Sequence, residues 1–116
     1  MTVLLLSTSS SLADNIVGTW SRDNGAVHVK FDACGDTICG SIAWIKPGAE
    51  TKAKVGQRLF FDIRPDGTNS WTGKAVNPDK GSIYSGKVLI GGSTLSTSGR
   101  IIGGLICKSA NWRRVP

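Results

Sequence analysis

Val27 to Lys46 reads V-H-V-K-F-D, then A-C-G-D-T-I-C-G, then S-I-A-W-I-K. Val27, Val29 and Phe31 alternate with His28, Lys30 and Asp32, the period of a strand with one buried face. Ile42, Trp44 and Lys46 alternate with Ser41, Ala43 and Ile45 on the far side of the segment. Between the two runs, Cys34 and Cys39 bracket Gly35, Asp36, Thr37 and Ile38. Gly and Asp are turn formers. The economical reading is a β-hairpin closed by a Cys34–Cys39 disulfide. Closing so short a loop stabilises by about 2 kcal/mol in the chain-entropy treatment.

Outward from this hairpin, the same grammar repeats. Ile16 to Arg22 reads as a first strand, and Asn24-Gly25 is a strong hairpin signal. Pro47 to Gln57 is a long polar connection. Arg58 to Arg64 alternates Leu59, Phe61 and Ile63 with polar neighbours, and Pro65-Asp66-Gly67 supplies a turn. Asn69 to Val76 reads as a strand ended by Asn77-Pro78-Asp79-Lys80-Gly81. Ser82 to Ile90 and Thr94 to Ser98 are joined through Gly91-Gly92, and Ala110 to Val115 closes the chain. The Gly-rich segment Gly99 to Lys108 has no clear assignment. Eight short strands with frequent turn signals, and no stretch of helical period, indicate an all-β domain, an up-and-down barrel or a sandwich.

The 116 residues suffice for one domain. Val3 to Leu6 is a short apolar run, and Ser11-Leu12-Ala13 offers small residues at a cleavage site. Residues 1–13 therefore read as the end of a signal peptide, with the domain spanning 14–116. The basic start of such a peptide is missing. Export also suits paired cysteines, and the destination expected is the periplasm or the exterior.

The net charge is +6. No acidic residue follows Asp79, whereas Lys80, Lys87, Arg100, Lys108, Arg113 and Arg114 do. This basic tail is either a solvated surface or an attraction for anionic envelope material. A nucleic-acid partner is not expected of an exported chain, and the apolar run is too short to span a bilayer, so neither nucleic-acid binding nor integral membrane insertion is expected. The domain is expected to be a monomer.

Several segments together resemble a family of exported bacterial proteins catalogued as domain of unknown function 2147. They are Gly18-Thr19-Trp20, Cys34 to Gly40 with Trp44, Arg64-Pro65-Asp66-Gly67, Trp71-Thr72-Gly73-Lys74, Asn77 to Ser85, and Trp112-Arg113-Arg114-Val115. The resemblance implies a lipocalin-like barrel, here a small eight-stranded antiparallel one, and brings no activity with it. Gly-x-Trp at the start and a late Arg also resemble the lipocalin closure, in which a first-strand Trp plugs one end and an Arg lies across it. Trp20 and Arg114 match those roles, and guanidinium on indole is a favourable pair. Family members carry a second cysteine near the end of the chain, where this sequence offers Cys107 alone. We expect a free Cys107 buried near Leu105 and Ile106.

Chemistry is sparse. Cys34, Cys39, Cys107 and His28 make a poor zinc set, because the second pair lacks the usual spacing, so no metal or cofactor is expected. His28 is the sole imidazole. There is no Gly-x-Ser-x-Gly elbow, phosphate loop or dinucleotide fingerprint, and no catalytic residues are assigned. Trp44, Phe61, Trp71 and Tyr84 fall on separate strands. A barrel of this size is either filled by its side chains or holds one small ligand; in the second case these four are the candidate lining. The sequence thus supports a binding module for a small, partly apolar or anionic envelope ligand. A protein-binding module, such as an inhibitor of an envelope enzyme, comes second. A hydrolytic enzyme comes third.

Overall fold

The computed structural model describes residues 16–101 and 107–116. Eight strands follow in order: β1 (Gly18–Arg22), β2 (Val27–Cys34), β3 (Thr37–Ile45), β4 (Arg58–Pro65), β5 (Ser70–Val76), β6 (Ile83–Gly91), β7 (Thr94–Ile101) and β8 (Cys107–Arg114). Each pairs antiparallel with the next, and β8 returns to β1 to close a barrel. Closure removes both sheet edges, which otherwise expose unpaired backbone groups. The turns expected at Asn24-Gly25, Pro65-Asp66-Gly67 and Gly91-Gly92 all connect strands. The unassigned Gly99 to Lys108 stretch contains the end of β7 and the start of β8. The expected leader at 1–13 and the Leu105–Ile106 surroundings of Cys107 lie outside the described residues, as does the Cys107 side chain.

Cys34 and Cys39 are bonded, their Cα atoms 5.5 Å apart, across the turn at Gly35 and Asp36. Thr37 Oγ1 donates to the Cys34 carbonyl within the same turn (3.1 Å).

The up-and-down path sorts the connections by end. One end carries the β2–β3, β4–β5 and β6–β7 turns together with Ile16 and the C-terminus. This end is filled. Trp20, Val29, Phe31, Trp71 and Leu95 are buried there, and Ile16 beneath them is inaccessible to solvent. The Trp20 indole N–H donates to the Ile16 carbonyl (3.0 Å), so this deeply buried donor is satisfied. The Arg114 guanidinium lies over the Trp20 ring. Gly18 has φ +133°, and a Cβ there would fall 2.9 Å from Arg114 Nη1. The Gly before Thr19-Trp20 therefore makes room for the arginine as well as supplying the backbone conformation.

The other end carries the β1–β2, β3–β4 and β5–β6 loops. Irregularities in the pairing shape the strands that lead to it, among them an extra residue at Leu59, since Gly40 pairs with Phe60 but Ser41 with Arg58. His28 pairs with Trp44 but Val29 pairs with Ile42, so Ala43 is one residue too many in β3. Phe61 pairs with Lys74 and Arg64 with Thr72, so β4 holds one extra residue near Asp62. Asp62 has φ +57°, a left-handed conformation that Asp tolerates better than most residues. A bulge of this kind reverses which face the following side chains take. Phe60 and Ile63 are consequently both buried, although strict alternation would separate them.

Candidate functional site

Towards the loop end the barrel opens into a cavity of about 850 Å³. Its size follows from the residues at inward positions. Along β8, Lys108, Ala110 and Trp112 share one face; β7 presents Thr97 and Gly99, and β6 presents Tyr84, Gly86 and Val88. Ala75 of β5 pairs with Tyr84. The inward side chains of the closed end are large, whereas Ala75, Gly86, Gly99 and Ala110 are small, and space remains where they stand. Gly86 has a further reason to be glycine: a Cβ there would collide with the Ser98 carbonyl of β7.

Aromatic rings divide the cavity from the solid half of the barrel. Phe60 meets Trp112 edge-on, with ring centres 5.9 Å apart, and Phe31 at 5.2 Å on its other side. The Trp112 indole N–H donates to Thr97 Oγ1 (3.1 Å), which holds the ring in place. Ile42, Ile45, Leu59 and Ile63 complete the apolar wall. Pockets for small molecules have this character, apolar lining with a few polar groups. The polar lining residues include Arg22 and Lys108 on the β1–β8 wall, Tyr84, and the charged residues Lys46, Glu50 and Asp79 at the rim.

The rim is tied across the opening by Asp79. Its carboxylate accepts a hydrogen bond from Thr51 Oγ1 (2.9 Å) and one from the Lys52 backbone N–H (2.6 Å). These bonds favour the charged form and lower the Asp79 pKa below its ordinary value; the Lys52 backbone bond is the largest cause and Thr51 the next. The Asn77 side chain in turn accepts from the backbone N–H groups of Asp79 and Lys80 (2.9 and 3.2 Å). The Asn-Pro-Asp segment is thus a clasp between the β5–β6 and β3–β4 loops.

The four aromatic residues expected to line a pocket are dispersed. Tyr84 lines the cavity. Trp71 is buried in the closed half, its indole nitrogen without a hydrogen-bond partner. Trp44 is turned to the outer face by the bulge at Ala43; it is 40% exposed and packs against His28 with ring centres 4.7 Å apart. Phe61 pairs with Lys74 and is not part of the lining; the buried ring of that doublet is Phe60. Reading β3 and β4 as strictly alternating placed Trp44 and Phe61 inside, and the extra residue in each strand is why they are not. Arg22, Phe60, Lys108 and Trp112 were missed. Counting back from Arg114 by twos reaches Trp112, Ala110 and Lys108, a signal available in the sequence.

Among the described residues no group of three His, Cys, Asp or Glu side chains is placed to hold a metal ion, and no helix is long and apolar enough to cross a membrane.

A search of curated proteins finds no match. Among solved structures, protein HP1028 from the human pathogen Helicobacter pylori, described as belonging to the lipocalin family, superposes with a TM-score of 0.69. The two are 16% identical, and the match covers 87% of this chain and 83% of that one. At this identity the likeness concerns the fold: both are barrels of lipocalin type. The family described as "Uncharacterized protein conserved in bacteria (DUF2147)" matches residues 18–114, nearly the whole described barrel. On that extent of match, the chain belongs to the DUF2147 family.

Proposed function

We propose that this protein is an exported binding protein that takes a small, partly apolar ligand into the open end of its barrel, in the periplasm or outside the cell. The observation that carries the reading is the 850 Å³ cavity above the Phe60–Trp112 floor, apolar in its depth and open at one end. A barrel meant only to be stable would fill that space, since each buried ring adds stabilisation through burial. The small residues at Ala75, Gly99 and Ala110 forgo it. Trp112 and Tyr84 are the aromatic contacts for such a ligand, with Tyr84 supplying a hydroxyl to orient a polar group. The disulfide supports an oxidising compartment.

The test is a titration with N-phenylnaphthylamine, a neutral apolar fluorophore that brightens on leaving water. Wild-type protein is expected to enhance its emission saturably and to gain melting temperature with ligand concentration. Ala110→Phe, which puts a ring into the cavity beside Trp112, is expected to abolish the enhancement while far-UV circular dichroism still reports a folded barrel. A wild type that neither enhances emission nor gains melting temperature would overturn the proposal.

A further inference from the structure

Within this cavity Arg22 stands out. It ends β1 on the inward face, pairs in register with Trp112, and its guanidinium carbon lies 5.7 Å from the centre of that ring. Its Nε is buried and has no hydrogen-bond partner. Asp23 Oδ1 forms a loose ion pair with this nitrogen at 3.7 Å from the half-exposed side of the turn, too long for a hydrogen bond, so the buried donor still lacks an acceptor. A buried donor on a charged group left without an acceptor is costly, and a charged acceptor relieves the cost strongly.

The charge around the opening has the same sign. Lys108 lines the cavity four residues along β8 from Trp112, about 13 Å up the wall at the rise of a strand, and its ammonium makes no ion pair or hydrogen bond among the described residues. Lys46 also lines the rim. Glu50 and Asp79 are the acidic lining residues, and Asp79 is engaged by Thr51 and Lys52. Lys74 and Lys87 are paired with Asp62 and Asp66. An anion entering the mouth meets Lys46 and Lys108 first and Arg22 beneath them.

Resting on the small-ligand reading above, we propose that the ligand is a single-chain amphiphile with an oxyanion head, carboxylate or phosphate, and that Arg22 binds the head. Its five N–H donors in a fixed fork match such a head, and the apolar chain lies along Ile42, Ile45 and Leu59 above Phe60. Lys108 contributes attraction at the mouth without fixing the head.

Dodecanoate, dodecyl phosphate and dodecanol, each below its micellar concentration, are competed against bound N-phenylnaphthylamine. The three share a chain and differ in the head. At least one anionic probe is expected to bind about tenfold or more tightly than dodecanol, the gain of one charge-assisted hydrogen bond; which of the two binds better identifies the head. Arg22→Gln is expected to erase that preference while dodecanol still displaces the fluorophore saturably, so the alcohol reports an open cavity in the same variant. Arg22→Lys is expected to keep part of the preference. Lys108→Gln is expected to lower the anionic association rate with little change in dissociation. Equal binding of all three probes to the wild type, or a preference that survives Arg22→Gln, overturns the oxyanion site while the apolar cavity stands. A wild type that binds neither the fluorophore nor any probe overturns both.

Discussion

The Arg114 guanidinium lies 4.2 Å from the centre of the Trp20 ring and donates from Nη1 to the Val17 carbonyl at 3.2 Å. One residue from the last strand thus holds both a side chain of the first and the backbone that leads into it. Because β1 and β8 are also the pair that closes the barrel, the contact seals the junction where the two ends of the sheet meet.

Removing either partner should therefore loosen the seam. Trp20→Ala is expected to cost about 3–5 kcal/mol as a large-to-small change in a solvent-free site. A double-mutant cycle with Arg114→Ala should return a coupling of about 0.5–2 kcal/mol, read from urea unfolding midpoints. Additive effects would show the stacking to be incidental.

The two buried indoles of the closed half differ in one atom's circumstances. Trp20 donates to Ile16, whereas the Trp71 nitrogen has no partner. Replacing each by Phe removes a similar volume, but the first change also orphans a carbonyl and the second relieves an orphaned donor. Trp20→Phe should consequently destabilise by about 1 kcal/mol or more beyond Trp71→Phe. Equal losses would mean that the Trp71 N–H is satisfied in solution.

Acid should release the rim clasp. The Asp79 pKa is lowered in the folded state, so its contribution is fully present above the ordinary carboxylate value of 3.8 and is lost as pH falls through the lowered folded value. The Lys52 amide resonance, followed by NMR, should titrate with a midpoint below 3.8. In Asp79→Asn that titration should vanish. A Lys52 amide that titrates unchanged in the variant would remove Asp79 as its partner.

Thiol chemistry gives a direct check on the hairpin. Of the three cysteines, Cys34 and Cys39 are joined, which leaves Cys107. Unfolded, unreduced protein should show one reactive thiol. Reduction should lower stability by about 2 kcal/mol, the expected effect of opening so short a loop. Three thiols before reduction would mean that the bridge does not form.

The barrel was legible in the sequence because its strands alternate and its turns announce themselves: Asn24-Gly25, Pro65-Asp66-Gly67 and Gly91-Gly92 each sit between runs of period two. The cavity wall was less legible. Alternation predicts faces only while the register holds, and neither Ala43 nor Asp62 looks like an insertion from its neighbours. Asp62 reads as one more polar residue between Phe61 and Ile63, yet the bulge there lets Ile63 share the inward face with Phe60, not with Phe61. Large aromatic residues are the visible sign of a pocket in a sequence, whereas the space here is left by Ala75, Gly86, Gly99 and Ala110. What is absent from an inward position says as much about a cavity as what is present.

The split between a filled end and an open end separates what the protein must keep from what it can change. Trp20, Phe31, Trp71 and Leu95, which hold the fold together, lie beyond the floor from the open space. Ala75 and Ala110 border that space on independent strands. Descendants of this scaffold, natural or engineered, can therefore acquire new cargo one wall at a time, by exchanging a methyl group for something larger, while the foundation beneath Trp112 stays as it is.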